Sequence, residues 1–235
     1  YCCLGLFGPK SREMMSKISK DNFENKFFPY GNSKFINIGK LEVWAQRLSY
    51  VGELGYELYI NINYGKKLYD ILVSEGKNFN LSHCGMHSMD IMRMESGFVH
   101  WGHDISPEEN QYQSGLRFTI SYKKNVNFIG KDSLIKIKDQ KPSKQLLMFV
   151  LSNSKPGQPL LLHEEPIYLE NKIIGRTTSG NYSFCFEKNL TFGYIDTENS
   201  IENLKKKNLF VEVEKKKYPI SILSKPLIDK KIRTN

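Results

Sequence analysis

Two carboxylates, Glu53 and Glu57, and two glycines, Gly52 and Gly55, are crowded into one short segment between apolar runs. A carboxylate held rigidly at the start of a strand can accept two parallel N–H bonds from an amidine-like edge, such as that of a pterin or guanine ring. Glu57 suits this role. It can equally be an exposed strand residue, because glutamate usually lies on protein surfaces. Spacing alone leaves both interpretations open.

Asp90 and Arg93 lie three residues apart in a segment with helical periodicity, so their side chains share one face of the helix. An ion pair between them is the simpler interpretation. Arg93 can also bind a ligand carboxylate, because its planar guanidinium matches a carboxylate bidentately. The spacing does not decide between the two.

Two other segments contain groups that can take part in chemistry. In 101–104 His103 and Asp104 are adjacent, but adjacent side chains point apart and no serine or cysteine nucleophile accompanies them, which favours a packed turn. In 174–180 Arg176 stands among hydroxyl residues, and this segment can cradle an anion or simply turn a corner. It lacks the glycine and lysine spacing of a P-loop.

The composition is that of an ordinary globular protein, with 235 residues, 40% hydrophobic and 25% charged. It excludes collagen, coiled-coil and disordered proteins. Apolar runs such as 145–151 are far shorter than the roughly 20 residues that cross a bilayer, so we expect a soluble protein without membrane contact. The first residue is Tyr1, within an apolar strand-like run, which indicates a fragment or a processed product.

The four cysteines form no C-x-x-C pair and have no histidine at zinc spacing, so we expect reduced, mostly buried thiols and no metal. The 34 lysines and arginines exceed the 25 acids and give a net charge of +9. Lysines are densest at 205–207 and 215–217, flanking an apolar strand without interleaved aromatic residues. This arrangement favours a solvated hairpin over a nucleic-acid surface.

The first half of the chain predicts mixed α and β structure. A strand at 1–7 is followed by a helix near 11–18 with Ser11 as N-cap, and then by an antiparallel pair, 37–50 and 57–60. Two further helices are expected at 65–75 and 86–96. Leu68, Ile71 and Leu72 face inward in the first, and Met86, Met89, Ile91 and Met94 form the apolar set of the second.

From residue 145 the pattern changes to short β-runs that recur about every ten residues, which is typical of a small barrel or sandwich. A lysine-rich segment, 123–144, with one short helix after Gly130, separates the two parts. The predicted strands are 145–151, 159–162, 166–169, 172–178, 190–195, 209–213 and 217–223.

Seven motifs, taken together and in this order, resemble the tetrahydrofolate-dependent aminomethyltransferase family, which includes the T protein of the glycine cleavage system. Within that family the sequence of residues 49–59 and 97–104 is most similar to the folate-binding C-terminal part of dimethylglycine and sarcosine dehydrogenases. The motifs are 6–9, 50–57, 89–95, 101–104, 114–118, 128–130 and 175–180.

The resemblance implies a folate held in a central cavity between subdomains, with a one-carbon unit captured at N5. Glu57 matches the family's pterin-binding carboxylate. Arg93 and Arg176 match its arginines, and Tyr50 and Phe118 match its cavity-lining aromatic residues. His87 stands where the family usually has arginine. The family's catalytic Asp would lie upstream of Tyr1, so we assign no catalytic residue within this chain.

These observations predict an α+β fold with an incomplete aminomethyltransferase-like folate-binding domain (1–122), a linker with a short helix (123–144), an antiparallel β-barrel domain (145–225) and a tail (226–235). The implied function is transfer of a one-carbon unit from a methylated amine, of dimethylglycine or sarcosine type, to tetrahydrofolate, giving 5,10-methylenetetrahydrofolate. The alternatives are a glycine cleavage aminomethyltransferase and a non-catalytic folate-binding module. FAD is expected only on an upstream dehydrogenase domain. The expected location is the cytoplasm, or the mitochondrial matrix in a eukaryote.

Overall fold

The computed structural model describes residues 1–196 and 200–228, and the chain divides into two compact units. The first comprises Tyr1–Ser96 together with Ile228, whose N–H donates to the carbonyl of Glu95 at 3.1 Å. The second is Gly97–Leu227. An α+β unit is thus followed by a closed antiparallel barrel, which confirms the predicted fold class. The two units divide at Gly97. The domain limits at residues 122 and 145 remain a prediction.

The first unit is a four-stranded antiparallel sheet, in the order β1-β4-β3-β2, with helices packed on one face. Its elements are β1 (Cys2–Phe7), α1 (Ser11–Ile18), β2 (Ser33–Ile38), β3 (Leu41–Gln46), β4 (Gly55–Ile60), α2 (Ile62–Gly76) and α3 (Met86–Glu95).

Alternation along each strand separates a core face from an open face. On β4 the core face carries Tyr56, Leu58 and Ile60, all buried with Met14 and Met15 of α1 and with Leu68 and Leu72 of α2. Apart from the buried Gly55, residues of the opposite parity are half-buried or exposed, and we call their side of the sheet the open face. It carries Cys3, Gly5, Phe7, Phe35, Trp44, Gln46, Glu57 and Tyr59.

Three details of this unit differ from the sequence prediction. The run 37–50 is divided, because Gly39 adopts a φ of +59° and forms a tight hairpin between β2 and β3. Ser11 is the first helical residue rather than the N-cap, and its hydroxyl donates to the carbonyl of Leu54. Met86 is exposed, since the buried residues of α3 are Ile91 and Met94 with Arg93 and Glu95.

The second unit is built around a barrel with the closed strand order β10-β5-β8-β7-β6-β9. Phe149, Ile167 and Val211 are among the fully buried residues of its core. The elements are α4 (Lys131–Ile137), β5 (Lys144–Leu151), β6 (Pro166–Leu169), β7 (Lys172–Ser183), β8 (Lys188–Asp196), α5 (Ile201–Leu204), β9 (Leu209–Val213) and β10 (Lys216–Ile222).

The predicted helix after Gly130 is confirmed as α4, whereas the predicted strand 159–162, which lies wholly within the described residues, is wrong. Its apolar pattern reflects the burial of Leu161 in the barrel core without strand pairing. The segment 174–180 is part of the long strand β7 rather than a loop. Most of the predicted tail lies outside the described residues.

The cysteines are free, as predicted, but they are not mostly buried: Cys3, Cys84 and Cys185 are exposed and Cys2 is half-buried. Cys2 packs from the first strand against the hydrophobic core and against Gly65 of α2. None of the helices within 1–196 and 200–228 combines the length and apolarity required to span a bilayer.

Candidate functional site

Glu57 lies in the middle of the open face, on the central strand β4. Gly5 of β1 and Gln46 of β3 are directly opposite it in register. The hydroxyl of Tyr59, two residues along the same strand, donates to Oε2 of Glu57 at 2.7 Å. This hydrogen bond to a carboxylate, together with burial, raises the pKa of Tyr59 well above its ordinary value. The carboxylate is therefore anchored by one oxygen on an accessible face.

The ring of Phe7 lies across two glycines beside Glu57. A Cβ atom added to Gly5 would come within 2.5 Å of this ring, and one added to Gly55 would overlap it. Because neither glycine has a side chain, the ring can lie against the strands and form a flat apolar surface next to the carboxylate. The glycine before Glu57 in the motif thus makes room for an aromatic neighbour.

The turn before β4 is held by buried polar contacts. The carbonyl of Leu54 accepts the N–H of Gly8 at 2.8 Å and the hydroxyl of Ser11 at 3.2 Å. Gly52 has a φ of +80°, and a Cβ atom there would overlap the hydroxyl of Ser96. These contacts fix where β4 begins, and therefore where Glu57 stands. Tyr50, in the same turn, is half-buried.

Arg93 is 1% exposed and pairs with Asp90, one turn earlier on α3. Its Nε and Nη2 both approach Oδ1 of Asp90 at 2.8 Å. The ion-pair interpretation is therefore confirmed. A guanidinium buried to this extent helps to fix the end of α3, and its role towards a ligand carboxylate remains a prediction.

The two remaining predicted residues lie in the second unit. Phe118 stands in a short 3₁₀ turn, Arg117–Thr119, with its ring 73% exposed. Arg176 is on β7, and its Nη1 is 2.8 Å from Oε2 of Glu164, with both side chains more than half exposed. The structure thus groups Tyr50, Glu57 and Arg93 in the first unit, and Phe118 and Arg176 in the second.

The segment 101–104 is a packed turn, as the sequence analysis favoured. Gly102 has a φ of +87°, and its N–H donates to the carbonyl of Ile105 at 2.7 Å. Asp104 is fully buried, and its carboxylate accepts the N–H of His100 and the hydroxyl of Thr178. Its role is therefore to hold the turn against the barrel strand β7.

A cavity of about 390 Å³ lies at the C-terminal end of β1, where the chain turns into α1, and Phe7 is one of its lining residues. Its walls include Leu6, Met14 and Phe79, with Lys10 and Cys84 among the polar lining residues. None of the five residues predicted from the resemblance lines it. Among the residues that the structure describes, no group of three or more His, Cys, Asp and Glu side chains is suited to a metal ion.

Sequence reasoning did not single out the residues that surround Glu57. Tyr59 could have been found, because residues i and i+2 of a strand share one face. Gln46 and Phe7 required the pairing of β3 and β1 with β4, and single-strand periodicity does not supply this pairing.

Both family models and a solved structure match this chain. The family model described as the GCVT N-terminal domain matches residues 1–124, and the glycine cleavage T-protein C-terminal barrel domain matches residues 144–229. The crystal structure of glycine cleavage system aminomethyltransferase T from Bartonella henselae superposes with a TM-score of 0.81 at 19% identity, over 97% of this chain and 60% of that one. At this identity the likeness shows the fold.

Curated relatives match almost the whole chain. A 4-methylaminobutanoate oxidase (formaldehyde-forming) from Paenarthrobacter nicotinovorans is 32% identical over 97% of the chain and 27% of the relative. Mitochondrial dimethylglycine dehydrogenase from Homo sapiens is 30% identical over 96% of the chain and 25% of the relative. An aminomethyltransferase from Symbiobacterium thermophilum is 29% identical over 84% of the chain and 52% of the relative.

The chain spans about a quarter of the length of the first two relatives. The match to the N-terminal family model covers more than half of the chain, and the barrel model covers most of the remainder. Proteins of this family bind tetrahydrofolate. This chain therefore belongs to the glycine cleavage T-protein (GCVT) family, as a module related to dimethylglycine dehydrogenase.

Proposed function

We propose that this chain binds tetrahydrofolate and presents it for one-carbon transfer. Tetrahydrofolate accepts the one-carbon unit of a methylated amine, of dimethylglycine or sarcosine type, and becomes 5,10-methylenetetrahydrofolate. The observation that carries the proposal is the Glu57 carboxylate, which stands anchored on an accessible sheet face. A pterin ring offers two parallel N–H donors that match the two oxygens of a carboxylate.

The surroundings of Glu57 suit a flat ring with such an edge. The Phe7 ring covers the adjacent glycines and provides an apolar surface against which a ring can pack. Gln46, opposite on β3, adds an amide with both a donor and an acceptor. A planar ligand with polar edges can therefore pack against the Phe7 ring and form hydrogen bonds with Gln46, both on strands adjacent to that of Glu57.

The other predicted residues receive roles consistent with their burial. Tyr50 and the buried Arg93–Asp90 pair lie in the same unit as Glu57. We give them the role of shaping the part of the folate site that this unit contributes. Phe118 offers an exposed ring for stacking, and Arg176 an exposed guanidinium for a ligand carboxylate. The lysine excess of the chain favours the approach of folates that carry several glutamates, because a positive surface attracts anionic ligands.

The chemical step assigned to this site is capture of the one-carbon unit. Formaldehyde, or the imine from which it comes, is attacked by N5 of tetrahydrofolate, and ring closure at N10 releases one water from formaldehyde or the amine from the imine. Holding the two reactants together supplies most of the rate acceleration, since a bimolecular step becomes effectively unimolecular. Oxidation of the amine would belong to a flavin domain of the kind expected upstream, and no residue of this chain is assigned to it.

The binding part of the proposal is tested with Glu57→Ala in the natural polypeptide that carries this sequence. We expect tetrahydrofolate to bind at least about tenfold more weakly, because two charge-assisted hydrogen bonds are lost. Glu42→Ala is the matched control, since Glu42 is an exposed glutamate on the same sheet face. Equal affinities of Glu57→Ala and the parent protein would refute the assignment.

The transfer part is tested by product analysis. The parent protein, supplied with tetrahydrofolate and dimethylglycine or sarcosine, is expected to form 5,10-methylenetetrahydrofolate in proportion to the amine consumed. One relative, the mitochondrial pyruvate dehydrogenase phosphatase regulatory subunit of Mus musculus, is 29% identical over 83% of the chain and has a name that describes regulation. Tight folate binding without product from any amine would favour such a non-catalytic module.

A further inference from the structure

Tyr59 donates a hydrogen bond to the side chain of Glu57, and its own position is fixed from both sides. Its ring centroid is 5.3 Å from that of Trp44 on β3, and Cys3 of β1 stands directly opposite it in register. The hydroxyl therefore projects along β4 towards Glu57 from a ring that is held by its neighbours. Tyr59 is half-buried, so water has restricted access to one side of this contact.

A glutamate side chain on a sheet surface has three rotatable bonds and loses conformational entropy when a ligand fixes it. A hydrogen bond that selects one rotamer before binding removes part of that cost. The Tyr59 hydroxyl occupies one lone pair of Oε2, and each carboxylate oxygen has two. Both oxygens of Glu57 therefore keep a lone pair for a ligand.

We propose that Tyr59 is a positioning residue, which orients the Glu57 carboxylate for the amidine-like edge of the pterin. The inference rests on the proposed function, because it gives Tyr59 a role only through Glu57. Tyr59 acts by its hydroxyl group, whereas its ring serves packing with Trp44. Removal of the oxygen alone therefore separates the two contributions.

The experiment is a double-mutant cycle in the natural polypeptide, with tetrahydrofolate as the titrant. The variants are Tyr59→Phe, Glu57→Ala and the double variant, and the dissociation constant of each is measured by calorimetry. We expect Tyr59→Phe alone to weaken binding by about three- to tenfold, as an ordered side chain becomes free to rotate. In the Glu57→Ala background the same change should alter the affinity less than about twofold.

Tyr69→Phe is the matched control. Tyr69 of α2 also uses its hydroxyl, in a 2.8 Å contact with Nε2 of His83, but α2 packs on the core face of the sheet. This variant should bind tetrahydrofolate as the parent does. Thermal unfolding of both Tyr→Phe variants shows whether loss of a hydroxyl weakens the fold, which would reduce binding regardless of the residue at position 57.

The outcomes separate the two proposals. Unchanged affinity of Tyr59→Phe, with Glu57→Ala impaired, would overturn the positioning role and leave the proposed function standing. Equal losses from Tyr59→Phe in both backgrounds would also overturn it, because a structural effect does not require Glu57. Unchanged affinity of Glu57→Ala would overturn the binding assignment itself. Only a loss that depends on Glu57 supports the inference.

Discussion

Replacement of Asp104 by alanine should weaken the second unit, because this buried carboxylate joins the turn 100–105 to the barrel strand β7. Its oxygens accept the hydroxyl of Thr178 on β7 at 2.5 Å and the N–H of His100 at 2.9 Å. Its carbonyl accepts the hydroxyl of Tyr194 on β8 at 3.0 Å. The first two bonds are lost in Asp104→Ala, whereas the third involves only the backbone of residue 104.

The magnitude follows from which groups lose their partner. The hydroxyl of Thr178 is buried, and a hydrogen bond to a charged group contributes about 1.5–3 kcal/mol. The His100 N–H is partly buried and adds about 1 kcal/mol. With the space left by the side chain, Asp104→Ala should cost about 3–5 kcal/mol of unfolding free energy. Asp104→Asn should cost less than half as much, since an amide can serve both groups once the threonine hydroxyl turns to accept.

The assay is hydrogen–deuterium exchange of the natural polypeptide, followed on peptides from β7 and β8 and compared with peptides from the first unit. Asp104→Ala should increase exchange in β7 and β8 and lower the urea midpoint of the unit. The double variant Asp104→Ala/Thr178→Val should be less destabilised than the sum of the single changes, because the orphaned hydroxyl is gone. Unchanged exchange in β7 would refute the reasoning, as would a larger effect from Asp104→Asn than from Asp104→Ala.

Two further predictions concern Glu109 and Gly175 of the second unit. Burial alone would raise the pKa of Glu109, but hydrogen bonds from Lys144 and Ser106 outweigh it and hold the pKa below its ordinary 4.5. The stability that ionised Glu109 contributes is therefore fully present above about pH 4.5 and is lost as pH falls through the lower folded-state pKa. When the free energy of unfolding is measured at decreasing pH, Glu109→Gln should lose less of it than the parent does. Gly175→Ala should cost about 3 kcal/mol or more by chemical denaturation, because a Cβ atom there overlaps the backbone of Tyr194. Gly85→Ala in the first unit should cost at most about 1 kcal/mol, because the added Cβ atom meets open space and only the N-cap preference of α3 for glycine over alanine is lost. Equal losses of unfolding free energy in these two variants would contradict the packing argument.

Much of the fold could be predicted from the sequence because the patterns that specify it are local. Alternation of apolar residues predicted β4 and all six strands of the barrel, and helical spacing predicted α1, α2 and α3. Residues 159–162 show where this reasoning fails. Leu161 is buried in the barrel core, so its segment carries the composition of a strand without the pairing that defines one.

The candidate site was less accessible from the sequence, since contacts between strands define it. Glu57 could be selected from its motif, but the Phe7 ring lies beside it only because β1 pairs with β4 and two glycines leave space. Arg93 illustrates the opposite case. Its spacing from Asp90 permitted an ion pair, and the 2.8 Å distance between the two side chains shows that this pair forms, whereas a role of Arg93 towards a ligand stays a prediction.

On β4, folding and binding use residues of opposite parity, and this separation has consequences for how the site can vary. Tyr56, Leu58 and Ile60 point into the core, whereas Glu57 and Tyr59 point to the open face. A substitution at an open-face position removes little buried apolar area, so it should change ligand affinity with little effect on unfolding free energy. A shift of register by one residue would exchange the two sets, exposing the core residues and burying Glu57. The hydrogen bonds that fix Leu54 therefore protect both the fold and the orientation of the carboxylate.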